Sequence, residues 1–390
     1  MNPSAIGWIN KLILVLKKNE QLQSTGLDQI YVDLRNCGFV YGSNQAIVND
    51  YIDKKDLTKE EICKINLLIS LYLAHKESET KESFTFSIIN FYIEINEHKT
   101  SFFNDILNGR KSNSLLEKII HKRIQLDDNI ITKNFNYFIT NALLFVDILA
   151  YKQFLKTHHV TEDYIKQLEA TIETVAINVL NSKHRKTKYD TSLIKLFESS
   201  LRYQKNANIT YKQATRSINN KLEAQYILDI ACMATWSDQK IDKKEHHFLK
   251  QLGKDIKLEK DTVLESIESV NRFYTLNKNN IALLSSKNVV KSFYDNSSNM
   301  VIKLISRNSK RLLNELKESK DLMVLLSKST VRELTDKEQK KVQEQLLDIF
   351  KSIPSLAIFM LPGGALLLPL VIKFIPKLLP SAFDDNRIKE

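Results

Sequence analysis

Apolar residues recur at three- and four-residue spacing along nearly all of the chain, the period of amphipathic helices. Thr58-Lys-Glu-Glu61 predicts the start of a helix that runs through ICKINLLISLYLAH, with Thr58 and Glu61 as a capping box. Residues 83–107 are rich in aromatic and β-branched side chains that also suit a strand. No turn chemistry divides them, so the reading is helix. Residues 134–156 form the most apolar internal stretch. Asn141, Asp147 and Tyr151 interrupt it, which favours a buried bundle helix over a membrane span. Thr161 caps a further helix to about Leu180, and the polar, basic run NSKHRKTKYD at 181–190 reads as a linker. In the second half, Leu222, Tyr226, Ile227, Ile230, Ala231 and Ala234 mark the buried side of a helix closed by Trp236. Thr335 and Glu338 predict a second capping box, ahead of an apolar stripe of Val342, Leu346, Ile349 and Phe350. The predicted organisation is a helical domain over 1–180, a basic linker and helix over 181–220, and a helical segment over 221–275. Connecting helices over 276–333 then lead to a tail over 334–390. No repeat of about 20–50 residues is evident.

Composition sharpens this to an all-α chain. Of six prolines, Pro3 stands alone and the other five fall after residue 353; glycine, at eight, is scarce. β-Rich and Gly-rich dinucleotide folds need more turn residues than this. Lys and Arg number 57 against 46 Asp and Glu, a net charge of +11 that suits RNA or phospholipid headgroups as well as a solvated lysine-rich surface. Cys37, Cys63 and Cys232 are few and far apart, and read as reduced core thiols of a cytoplasmic compartment. No phosphate loop, nucleophile elbow or zinc signature occurs, so an enzyme is not expected.

One constellation carries carboxylates. Asp238, Ile241, Asp242 and Glu245 lie between two helices, and the turn resembles that of the tellurite-resistance TerB-like family, with Gln239 where that family usually has glycine. Asp238, Asp242 and Glu245 are oxygen ligands suited to Ca²⁺ or Mg²⁺, though not at EF-hand spacing. The competing use, and the favoured one, is helix capping by Asp238 and Asp242, with Asp242 and Glu245 spaced as a capping arrangement and Glu245 facing solvent.

The tail is the second distinctive segment. Residues 353–372 carry no charge, between Lys351 and Lys373. Twenty residues at about 1.5 Å each just match a hydrocarbon core of roughly 30 Å. Pro362-Gly363-Gly364 sits at the middle of the run, so a proline-kinked span and a re-entrant hairpin compete, with a soluble buried hairpin as the alternative. Membrane insertion is the favoured reading. Lys340, Lys341 and Lys351 before the run agree with a cytoplasmic N-terminal region.

From Leu334 to Phe383 the chain resembles the leucine-zipper/EF-hand-containing transmembrane (Letm) family. The resemblance rests on Pro354, Pro362, Gly363, Gly364, Pro369, Lys373, Pro376, Pro380, Ser381 and Phe383. With a TerB-like segment in front, it is similar to the bacterial Letm-related, biofilm-associated type. The resemblance implies a protein of the bacterial inner membrane, concerned with ribosome binding, cation/proton homeostasis or both. The implied partners are the lipid bilayer, the ribosome and a second copy through the apolar tail, with no DNA sequence recognition and no cofactor beyond Ca or Mg at the acidic turn. Ala365 stands where the mitochondrial members carry a glutamate inside the span, which removes the obvious ion-binding group. The family's ribosome-binding domain is expected after the span, and only seven residues follow Phe383. A ribosome contact is therefore expected from the basic helical region before it. The alternative function is a membrane-anchored scaffold or stress-sensing module acting through the acidic turn.

Overall fold

The computed structural model describes residues 3, 5–48, 57–96, 112–124, 141–182, 209–235, 241–277, 301–353, 356 and 368–379. Among these the regular structure is helical throughout. The first half contains α1 (Trp8–Lys18), α2 (Glu20–Ser24), α3 (Leu27–Asn36), α4 (Lys59–Lys76), α5 (Phe84–Asn96), α6 (Ser112–Ile124), α7 (Phe145–Thr157) and α8 (Glu162–Ser182). The second half contains α9 (Tyr211–Arg216), α10 (Lys221–Thr235), α11 (Lys243–Asp255), α12 (Lys260–Asn277), α13 (Ser309–Lys317), α14 (Lys320–Val331), α15 (Asp336–Ser352) and α16 (Leu368–Leu378). Residues 301–307 are helical as well.

Local chemistry sets the helix starts. Thr58 accepts from the Glu61 amide while the Glu61 carboxylate accepts from the Thr58 amide, the predicted capping box. Residues 84–96 of the aromatic segment are helical. Its later part, 97–107, lies outside the described residues, as do the linker at 181–190 from residue 183 onward and Trp236.

One hydrophobic core draws on side chains from Trp8 to Tyr274. Helix α4 is its axis: every residue from Cys63 to Ala74 is buried, because α3, α6 and α7 pack around it. Helices α8, α10, α11 and α12 form a second layer of the same core, and α3 touches both α4 and α12. Gly38 makes the turn after α3 fit against α12. Its φ is +85°, and a Cβ there would lie 2.4 Å from Phe273 Cζ. The three cysteines are free and buried, as their sparse spacing suggested.

Charged residues inside this core are paired. Asp147, nearly fully buried on α7, accepts from Arg123 Nε of α6 at 2.6 Å and from the Tyr92 hydroxyl of α5 at 3.0 Å. Arg123 Nη2 donates to its second oxygen. Asp147 thus interrupts the apolar run of 134–156 without exposing it, which is why α7 is a bundle helix.

A second core is built by residues 301–307 and α13–α16. Val342, Leu346, Ile349 and Phe350 of α15 are buried in it, the stripe read from the sequence. It bears on the expected architecture of the tail, although of the run 353–372 only residues 353, 356 and 368–372 are described. No described helix is long and apolar enough to cross a membrane. Helix α16 has 11 residues. Its apolar side is not turned to lipid: Leu368, Leu370, Val371, Ile375 and Pro376 are buried, and the helix packs on α14. The proline-kinked membrane helix is therefore not supported, and what the structure shows of the run is folded onto protein. Pro354, Pro362, Gly363, Gly364, Pro380, Ser381 and Phe383 lie outside the described residues.

Candidate functional site

The acidic turn begins α11. Asp242 has extended backbone and its Oδ1 accepts from the Lys244 and Glu245 amides at 2.7 and 2.8 Å. Glu245 Oε2 accepts in return from the Asp242 amide at 2.7 Å. Two of the three candidate ligands are thus held on backbone N–H groups, and Glu245 is fully buried, which corrects the expectation that it faces solvent: its carboxylate turns back onto the Asp242 amide. Asp238 lies outside the described residues, and among those described no group of three metal-ligating side chains occurs.

The cleft lined by Tyr164, Thr171, Ser217, Asn219 and Glu223 offers about 20 Å³, room for roughly one water. Another buried polar centre joins Lys64 of α4 to Glu60 Oε1 at 2.7 Å and to His121 Nδ1 of α6 at 2.8 Å. Burial and the Lys64 charge hold His121 down at about 4, so the ring is neutral near pH 7.

The C-terminal unit presents a different surface. Pro369 is the second residue of α16, where a missing N–H costs little, and Pro376 lies two residues from the helix end. Pro369, Lys373 and Lys377 follow one another at four-residue spacing on the exposed side, and Lys373 Nζ lies 5.7 Å from the Phe374 ring centre. On α15, Lys337, Lys340 and Lys341 are exposed. Lys341 bonds Asp321 of α14 at 2.9 Å. The outer side of α16 is therefore basic, while α15 carries four lysines against Asp336, Glu338, Glu344 and Asp348 and is neutral overall.

The link between α14 and α15 is a small ion cluster. Arg332 gives two hydrogen bonds to Glu338, at 2.7 and 2.8 Å, and Thr335 gives its amide to the same carboxylate at 3.0 Å. These donors, the Arg332 guanidinium first, hold the Glu338 carboxyl down at about 2. A depressed acid stabilises the fold above its ordinary value and loses that contribution as pH falls towards 2. In a carboxyl-carbon NMR titration Glu338 is expected to titrate near 2. Arg332→Ala should return it towards the ordinary glutamate range; an unchanged midpoint would show that Arg332 is not the cause.

The unit is tied to the first core by residues with no sequence signal for it. Arg307 donates to both oxygens of Glu61 at 2.9 and 2.8 Å, and Lys303 donates to the Leu57 carbonyl at 3.3 Å, across 246 positions in each case. Glu61 is therefore cap residue and anchor at once.

Comparison with known proteins falls on this same unit. Residues 334–390 match the family model described as LETM1-like, RBD. Over 58 residues the chain is 40% identical to the LETM1 domain-containing protein mdm28, mitochondrial, of Schizosaccharomyces pombe. That stretch covers 15% of this chain and 12% of the relative, so the chain spans about an eighth of that protein's length. No solved structure matches the chain. The match corrects one expectation: the RBD model covers the tail itself, from Leu334 onward, and not a separate segment behind it.

Proposed function

We propose that this chain is a Letm-like, non-catalytic, membrane-associated protein whose C-terminal unit binds the ribosome. The observation that carries the reading is the match of residues 334–390 to the LETM1-like RBD model, RBD being taken as ribosome-binding domain. Two exposed lysines of α16, Lys373 and Lys377, support it, because at four-residue spacing they can follow the phosphates of ribosomal RNA. Ion transport draws no comparable support. From Ile353 to Phe383 the sequence contains no Asp or Glu, the groups that would bind a proton or cation inside a membrane.

The test is co-sedimentation of the full chain with ribosomes from the organism of origin. Binding is expected at about 50 mM salt and should weaken steeply as salt rises. Lys373→Glu together with Lys377→Glu should lower affinity about tenfold or more, with a shallower salt dependence. A chain that stays in the supernatant at low salt would end the proposal.

A further inference from the structure

We infer that the outer face of α1 is a docking surface for anionic phospholipid, distinct from the C-terminal unit. Helix α1 (WINKLILVLKK) buries Trp8, Ile9, Leu12 and Leu16 in the first core. On the opposite side Leu14 is 60% exposed, and Ile6, just ahead of the helix, is 85% exposed. Among the described residues only Leu276 and Val331 are large apolar side chains comparably open to solvent.

Their neighbours give the face its chemistry. Lys11, Lys17 and Lys18 are all exposed. At about 100° per residue, each lies within about 60° of Leu14 around the helix axis. Leu14 therefore stands at the centre of a ring of positive charge. Helix α1 itself carries no Asp or Glu, and the charges closest in sequence and packing do not cancel the ring. Glu20 follows on α2, beyond the helix end. On α6, which packs against α1, Glu117 is occupied at the opposite end, where its Oε1 accepts from the Gly7 and Ile9 amides at 2.9 and 3.3 Å. Lys118 of α6 is exposed and adds to the positive side.

Those two bonds from Glu117 also matter mechanically. They fix the start of α1 on α6, so the lysines and Leu14 form a preset face on a folded body. An exposed leucine ringed by lysines suits the boundary of an anionic bilayer, with the ammonium groups at the phosphates and Leu14 among the acyl chains. The alternatives fit less well. A symmetric contact with a second copy would oppose three lysines to three lysines over two apolar residues. RNA would use the lysines and leave Ile6 and Leu14 exposed.

The face can be read separately from any other membrane contact. Cys37, Cys63 and Cys232 are buried, so an environment-sensitive fluorophore on Leu14→Cys in the full chain reports α1 alone. With vesicles of phosphatidylcholine containing about one third phosphatidylglycerol, a blue shift and increased emission are expected, and pure phosphatidylcholine should give little change. Each lysine near an anionic surface is worth about fivefold in binding. Adding Lys11→Glu, Lys17→Glu and Lys18→Glu should therefore weaken the response about a hundredfold or more. An unchanged label while the chain sediments with vesicles would overturn the inference. So would an equal response to neutral vesicles, a response insensitive to the three charge reversals, or a response to ribosomes in place of vesicles. Failure of ribosome binding by the tail would leave it standing, since the two surfaces are separate.

Discussion

Asp147→Ala is expected to lower the stability of the helical bundle by about 3–5 kcal/mol, the range for removing one member of a buried ion pair. Asp147 is 1% exposed and its partner Arg123 is 13% exposed, so the loss would leave a guanidinium in a largely dry site. The Tyr92 hydroxyl would lose its acceptor as well. Three helices meet at this carboxylate, α5 through Tyr92, α6 through Arg123 and α7 through Asp147 itself. The effect should therefore appear as a lower midpoint of the main unfolding transition and not as local fraying. Urea denaturation followed by circular dichroism measures it. Asp147→Leu combined with Arg123→Met should recover much of the loss, because removing both charges removes the desolvation problem. A single-variant change below about 1 kcal/mol would mean that water reaches Arg123 and that the pair is not a structural centre.

Arg35→Met is expected to have a comparable effect at neutral pH, but one that shrinks in acid. Arg35 is 1% exposed; its Nε lies 3.8 Å from Asp229 Oδ2, and Asp229 is fully buried. The Tyr31 hydroxyl donates to the same oxygen at 2.6 Å, and Arg35 Nη2 reaches Glu265 and Ser269 on α12. The cluster joins α3, α10 and α12. Burial pushes the Asp229 carboxyl up, while Arg35 and then Tyr31 pull it down, and burial wins. A carboxyl raised in the folded state loses stability as pH rises through its folded value. Without Arg35 that value climbs further. At pH 7 the variant then either holds an uncompensated buried charge or spends free energy on protonating Asp229, a cost of about 3–5 kcal/mol. At pH 5 protonation is easier and the gap to wild type should narrow. A gap that stays constant between the two pH values would show that Asp229 is not what Arg35 neutralises.

Much of the fold was legible because its determinants are short-range. The capping boxes at Thr58/Glu61, Asp242/Glu245 and Thr335/Glu338 each involve residues three apart, and all three form as their spacing predicts. The stripe of α15 and the burial of α7 follow from periodicity alone. The crowding of five prolines after residue 353 pointed to the Letm-like tail, and the family-model match lies on that segment. The polar partners were not legible. Arg123 and Asp147 are 24 positions apart, Arg35 and Glu265 230, and Arg307 and Glu61 246. Such pairs exist only once helices have packed, since no local propensity selects one arginine for one carboxylate. The face of α1 was missed for a related reason: hydropathy marks Leu14 as apolar but cannot say which side of the helix the core covers.

The sequence by itself therefore determined an all-helical chain, the starts of its helices, their buried stripes and the segment that is LETM1-like. The tertiary structure decided where the end of the apolar run, residues 368–372, goes. Lipid and protein interior are equally apolar to a leucine, so a charge-free run reads the same for either. Only the packing of α16 on α14, with Leu368, Val371 and Ile375 buried between them, shows that this part of the run is covered by protein.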